Sequence, residues 1–551
     1  MGGTALGTVG AGYAALDRGD WRGAAEAFVA ALGDGESADA LDGLGQARWW
    51  ASDVAEALDL RARAYAQFVD GGRHAESVRV AAWLAREYFT VHGNLPAAGG
   101  WISRADAQLE KAGACPQGGW LALIKAAMTS DSGEMRQLSR LAIDLGLRFG
   151  DHDLEIVGLS MLGLARVYAC EVAEGMALLD EAMAAASGGE LKSFWSLSDV
   201  YCNTLLACER VGDFERAEQW CRVVNEFAQR FDAKPLFPFC HVTYGTVLSA
   251  TGRWKEAEDA LLRAVQMFNN GHKALGVIAI SRLAELRLKQ GLLEEAQLLL
   301  AGLEEHPLAL RPVVRLRLAE GRPTVASRML HARLEQVGHA SLLAAPLLAL
   351  LVEVQLAIGN NESARHTATQ LMGLASLSGQ RSIIADAEFA MGCTHLAADP
   401  AAAAAHLERA VAMFHELELP LEAARARLHT GRSRRDIDPD VAIADIRAAL
   451  STFGRLGARR DFDEAAALLR DLGDAGPRGP RESGELTRRE REVLRLLGSG
   501  LSNAEIGSRL FISHKTAEHH VGRVLDKLEL RSRAEAAAYA VRHPEVLSGD
   551  L

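Results

Sequence analysis

Residues 511–528, FISHKTAEHHVGRVLDKL, crowd a serine, a lysine, a threonine, a glutamate, two adjacent histidines and an arginine into about five helical turns. Two chemistries compete for such a set. Paired histidines suggest a metal, but adjacent helical positions point about 100° apart and no cysteine or carboxylate completes a ligand set, so no metal is expected. The other chemistry is nucleic-acid recognition, in which cations meet phosphates and polar side chains meet base edges.

The pattern favours the second. Ala517, Val521, Leu525 and Leu528 recur at i, i+4, i+8 and i+11, one apolar stripe of a helix, which leaves Lys515, Glu518, His519, Gly522 and Arg523 outside. Ser513 caps the start. His519 is the candidate for a groove, and His520 supports the helix. Lys515, Arg523 and Lys527 are the candidate phosphate or base ligands, with plain surface charge as the alternative. Glu518 stays open between accepting from a cytosine amino group and repelling phosphate as an exposed acid. A helix-interior glycine such as Gly522 costs about 1 kcal/mol relative to alanine, which a close approach to the DNA backbone would offset. Arg488, Arg489 and Arg491 are weaker candidates, because Glu490 and Glu492 lie among them.

The elements that must position this helix are written around it. From Glu485 on, the pattern predicts four short helices. Thr487/Glu490, Ser502/Glu505 and Ser532/Glu535 each fit the S/T-x-x-E capping box, and Ser513 starts the remaining helix. Leu501 and Ile506 sit at the positions of a hydrophobic staple. Only a few residues around Leu510 to Ile512 separate the second helix from the third, which is helix-turn-helix spacing.

The stretch LTRREREVLRLLGSGLSNAEIGSRLFISHKTAEHHVGRVLDKLELRSR resembles the DNA-binding domain of LuxR-type transcriptional regulators. The pattern stands in order as LTRREREVL, G-L-S-N-x-E-I, L-F-I-S-x-K-T, H-V and K-L, across about 65 residues. LGARRDFDEAAALLRDLG, upstream, is similar to the segment before this domain in large regulators of the family. The resemblance implies operator DNA as partner, with Ser513, Lys515, Thr516, Glu518, His519, Gly522, Arg523 and Lys527 as the DNA-binding set. It also implies that the fourth helix, SRAEAAAYAVRH, pairs two domains, and Ala536, Ala537 and Ala540 are small enough to permit close approach. Two positions depart from the family. Ala504 stands where a basic residue is common, and Glu529 replaces the usual glycine after KL.

The rest of the chain has another character. With 551 residues it exceeds one compact core, and 49% apolar residues with 14 prolines and 6% aromatics suit a helical array. The formal charge is −12, yet residues 478–551 hold 13 Lys+Arg against 11 Asp+Glu, so this segment is +2 and the remainder −14. The seven cysteines include no C-x-x-C pair and read as thiols of a reducing cytoplasm. Neither a signal peptide nor a membrane span is expected, since the longest apolar run, LLAAPLLALLV, falls short of about 20 residues.

Over residues 1–470 a glycine is followed five positions later by an alanine: Gly19/Ala24, Gly93/Ala98, Gly212/Ala217, Gly252/Ala257, Gly291/Ala296, Gly321/Ala326 and Gly359/Ala364, with Ser52/Ala57 as a variant. Glycine ends one helix in the left-handed conformation and alanine lets the next cross closely, so each unit is a helical hairpin. The last four intervals between these glycines are 40, 39, 30 and 38 residues, around the roughly 34-residue period of tetratricopeptide repeats, which the region resembles in pattern. Trp49, Trp50, Trp83 and Trp101 read as inter-helix packing, with a ligand lining as the alternative.

The expected architecture is all-α: a tetratricopeptide-like α-solenoid over residues 1–473, a Gly/Pro/charge-rich linker over 474–484, and a small four-helix LuxR-type helix-turn-helix domain over 485–551. The expected function is a cytoplasmic, bacterial-type, sequence-specific DNA-binding transcription regulator, a homodimer on DNA, whose repeat groove takes a peptide, protein or small-molecule effector. The alternative is a helical-repeat scaffold whose C-terminal domain docks protein. No catalytic residues or cofactor are expected. No G-x-x-x-x-G-K-[ST] motif occurs and no receiver domain is apparent, so neither ATP hydrolysis nor phosphorelay control is predicted.

Overall fold

The computed structural model describes residues 2–33, 35–90, 92–230, 237–269, 276–474, 486, 488–510, 512, 514–528, 530 and 532–543. Among them every regular element is helical, from α1 (Gly2–Asp17) through α25 (Arg459–Asp471) and on to four helices, α26 to α29, near the C-terminus. The chain divides into two compact units, Met1–Asp461 and Phe462–Leu551.

The first unit is a run of tetratricopeptide-like hairpins. Each glycine of the expected pairs takes a positive φ, between 60° at Gly93 and 84° at Gly252 and Gly359, and Ser52 takes the same conformation at 70°. Every alanine five residues on is buried, none more than 1% exposed. The polar residue after the turn caps the incoming helix: Asp20 accepts from the Gly23 amide at 2.9 Å, Asn94 from Ala97 at 3.0 Å and Asp213 from Arg216 at 3.1 Å. Cys170 and Glu418 adopt left-handed turns at φ 66° and 56°. A search for glycine misses both.

A second register holds each hairpin closed. On α14 (Trp254–Asn269) Ala257, Leu261, Ala264 and Phe268 are buried at i, i+4, i+7 and i+11. The stripe recurs as Ala403, Leu407, Ala410 and Phe414 on α22 (Pro400–Glu416), and as Ala442, Ile446, Ala449 and Phe453 on α24 (Pro439–Leu456). Opposite the large second residue, the preceding helix carries a glycine. A Cβ there would meet Leu261 Cγ at 2.7 Å from Gly245, Leu407 Cγ at 2.6 Å from Gly392 and Ile446 Cγ1 at 2.5 Å from Gly431. The glycine lets one helix receive the other's side chain, and packing at this density leaves no room for a methyl group.

One hairpin breaks the rule and shows its cost. On α4 (Val54–Asp70) the stripe reads Ala57, Arg61, Ala64 and Phe68, with an arginine in the leucine position, its aliphatic stem against Gly45. Arg61 is 3% exposed. A buried charge needs a partner, and Asp42 on α3 (Ala38–Trp50), fully buried, lies 2.8 Å from Arg61 Nε and 2.8 Å from Arg79. Burial alone would raise the Asp42 carboxyl, but Arg61 and Arg79 outweigh it and hold it below its ordinary value.

Within the first unit, residues far apart in sequence also meet. Arg86 pairs with Asp199 at 2.7 Å, Ser382 Oγ donates to the Val211 carbonyl at 2.9 Å, and Ser130 Oγ to the Gln336 carbonyl at 3.0 Å. Trp49, Trp50 and Trp83 are buried in the core of the first unit and Trp101, half-buried, packs against it. Six described cysteines are free thiols; Cys240 lies outside the described side chains. No helix among the described residues is long and apolar enough to cross a membrane.

Candidate nucleic-acid interface

The site is built on α26 (Arg488–Gly498), α27 (Asn503–Leu510), α28 (His514–Lys527) and α29 (Arg533–Arg542). Their starts follow the local chemistry. The Ser502/Glu505 capping box is made in full: Ser502 Oγ accepts from the Glu505 amide at 3.3 Å and Glu505 Oε2 from the Ser502 amide at 2.7 Å. The Ser502 hydroxyl and amide hold the Glu505 carboxyl below its ordinary value. Ser532 caps α29, accepting from the Glu535 amide at 3.2 Å. Thr487, Ser513 and Glu529 lie outside the described residues.

Leu486, Val493, Leu494, Leu497, Ile506, Ala517, Val521, Val524, Ala536 and Ala540 form one core, with Leu501, Leu525 and Leu528 packed against it. Val524, fully buried, belongs to the stripe of α28 although the four-residue period skips it. The opposite face of α28 carries Lys515, Thr516, Glu518, His519 and Arg523, all exposed. Gly522 stands among them with open space where a Cβ would be, so no neighbour among the described residues requires the glycine. His520 is half-buried, and burial first, then Arg489 and Arg523, hold its imidazole below its ordinary value.

Lys527 sits apart from that exposed row. Its Nζ lies 2.7 Å from Glu490 Oε2, and the two side chains are 17% and 3% exposed. The ion pair ties the end of α28 to α26. A sequence signal for it existed, because Glu490 falls in line with Leu486, Val493, Leu494 and Leu497, and a carboxylate on an apolar stripe demands a cation. Arg489 braces the turn as well, donating to the Leu510 carbonyl at 2.6 Å and so holding the end of α27 where the chain passes into α28. Arg533 donates to Asn503 Oδ1 at 2.7 Å, fixing α29 to the start of α27. The chain thus presents one polar helix face, with Lys515 and Arg523 beside Glu518, on a domain braced at the end of α27, the end of α28 and the start of α27.

The alanines of α29 need a correction. Ala536 and Ala540 are spent inside the domain, Ala540 so close to α26 that a Cβ on Gly498 would meet its own Cβ at 2.8 Å. Small residues do permit close approach here, but to α26. Among the described side chains of α29, Ala534, Glu535, Ala538 and Arg542 are exposed.

Residues 484–540 match the model of the luxR family of bacterial regulatory proteins. The C-terminal domain is of the LuxR type. Transcriptional regulatory protein LnrK of Bacillus subtilis (strain 168) is 47% identical over 64 residues, 12% of this chain and 29% of that protein. DNA-binding transcriptional activator DevR/DosR of Mycobacterium tuberculosis (strain ATCC 25618 / H37Rv) is 36% identical over 101 residues, 18% of this chain and 46% of that protein. The chain thus spans less than half the length of these two relatives. Among solved structures, the APC/C hetero-tetramer Cut9–Hcn1 aligns with a TM-score of 0.44 at 12% identity, over 84% of this chain and 94% of that one.

Proposed function

We propose that this chain is a sequence-specific DNA-binding transcription regulator of the cytoplasm. In this reading residues 485–551 bind operator DNA through the exposed face of α28, residues 474–484 link, and the array of residues 1–473 takes an effector that controls binding. The observation that carries it is the division of α28 into a buried apolar stripe and an exposed row of Lys515, Thr516, Glu518, His519 and Arg523, inside a domain matching the luxR family. A helix with that division can lie in the major groove, its N-terminal half on base edges and its cations on phosphates. Gly522 lets the helix approach closely. Lys527 acts by holding α28 to α26. The regulator binds an inverted repeat as a homodimer, and the exposed face of α29 around Ala538 supplies the contact.

With three or four phosphate contacts, log affinity for operator DNA falls against log salt with a slope of roughly −3. Titrations at several salt concentrations, with the mass of the saturated complex recorded, check slope and stoichiometry together. A flat response would favour protein docking, and a saturated complex of a single chain on the whole inverted repeat would remove the dimer.

The exposed residues divide by role. His519→Ala and Glu518→Ala each cost about 1 to 3 kcal/mol at one base position and relax preference there. Lys515→Ala and Arg523→Ala weaken all sequences nearly equally and reduce the salt slope by about one. Binding of each variant to single-base operator changes at two salt concentrations distinguishes them. Unchanged preference in the first pair would mean that this face does not read bases.

A further inference from the structure

Far from the DNA-binding domain in sequence, the first unit contains a small cavity of about 110 Å³ with aromatic walls. The end of α1, the start of α2 (Trp21–Gly33), the end of α3 and the start of α11 (Phe194–Val211) meet there. Trp21 and Trp50 stack with ring centroids 4.8 Å apart and planes 13° apart, while Phe194 stands edge-on to both, at 5.0 Å and 6.1 Å. Trp195 tilts by 51° against Trp50 at 5.1 Å. Leu16, Asp17, Gln46, Lys192 and Ser193 complete the lining, and of these Asp17 and Lys192 are exposed.

Two features separate this place from an ordinary packed core. A core closes to the density of a molecular crystal, whereas these rings leave a half-open space of about 110 Å³, smaller than the enclosed cavity of roughly 150 Å³ that admits benzene. Trp21, 8% exposed, also has an indole N–H with no acceptor among the described residues, as does Trp83 beside Trp195, whereas the Trp49 indole in the same cluster donates to Glu87 at 2.8 Å. An indole N–H normally finds a partner when buried, and leaving it unmade carries the full desolvation penalty.

We propose that this cavity binds an aromatic α-amino acid. The ring lies against the face that Trp21, Trp50, Phe194 and Trp195 together present to the cavity, where offset and edge-to-face contacts with flat partners are favoured. The α-ammonium pairs with Asp17. The α-carboxylate has two oxygens, one for Lys192 Nζ and one for the Trp21 N–H. Opposite charges flanking one aromatic slot match a zwitterion and disfavour a ligand carrying either charge alone. That this ligand governs DNA binding rests on the regulator reading above; the binding itself does not.

Isothermal titration of the full-length chain with L-phenylalanine, L-tyrosine and L-tryptophan tests it. L-Leucine, phenethylamine and 3-phenylpropionate serve as comparators lacking the ring, the carboxylate and the amine. At least one aromatic amino acid binds once per chain with a dissociation constant of about 0.1 mM or tighter, and each comparator binds about tenfold weaker or worse. Asp17→Asn and Lys192→Met, both at exposed positions, each weaken that binding about tenfold without changing the helical circular dichroism. Absence of binding for all three amino acids at millimolar concentration overturns the proposal, as does wild-type affinity in both variants. DNA binding measured on the same wild-type protein without amino acid reports on the regulator reading alone, so the two failures are distinguishable.

Discussion

Asp42→Asn destabilises the first unit by about 3 to 5 kcal/mol, the range for removing one partner of a buried ion pair. The substitution keeps the volume and removes the charge. Arg61, 3% exposed, then has no carboxylate in reach of its Nε, and Arg79 loses the same partner. A loss of this size rivals the whole stability of many domains. The acid limb carries a second signature. Because Arg61 and Arg79 hold the Asp42 carboxyl below its unfolded value, its contribution is present above that unfolded value, about 3.9, and is lost as pH falls through the folded one. The Asn variant lacks this loss, so its disadvantage shrinks toward low pH. Urea unfolding at several pH values measures both effects, and equal stability of the two proteins at pH 7 would refute the account. Arg61→Leu with Asp42→Leu restores the leucine-on-glycine arrangement of the other hairpins and recovers much of the loss, since apolar replacement of a buried pair is often neutral or better.

Lys527→Met costs about 3 kcal/mol, because it leaves the Glu490 carboxylate, 3% exposed, without its lysine. A core of this size rarely supplies more than about 3 to 5 kcal/mol in total, so the variant is close to unfolded in α26 to α29. DNA binding fails with it. Glu490→Leu combined with Lys527→Met removes both charges from an otherwise apolar stripe and restores folding and binding. That rescue separates positioning from contact. Were Lys527 a phosphate ligand only, Lys527→Met would weaken binding while leaving the domain intact, and the double substitution would not recover it. Amide hydrogen exchange of α28 in the full-length chain reads the stability, and operator titration reads the binding. Unchanged protection in Lys527→Met would refute the positioning role.

Much of this protein was determined within single helices and the turns between them. The Ser502/Glu505 box and the Ser532 cap join residues three apart, so spelling and geometry coincide. The left-handed turns at Gly19, Gly212 and Gly252 and the stripe of Ala517 and Val521 on α28 follow from local backbone sterics and helical period. Those local rules suffice for an all-α chain of hairpins ending in a helix-turn-helix with one polar face. They fail where the determining contact is distant. Cys170 and Glu418 make left-handed turns that residue type does not announce, because packing of the adjoining helices outweighs the modest local strain. Arg61 is a cation that the glycine-opposite-leucine register places inside, against Asp42, and no pattern within its own helix announces that partner. Lys527 looked like a phosphate ligand until α26 brought Glu490 to it, and Ala540 of α29 looked outward until Gly498 received it. The aromatic cavity is the extreme case. Trp21 and Trp50 meet Phe194 and Trp195 only because α11 packs against the first hairpins, and no period or motif within one helix encodes a contact between rings so far apart along the chain.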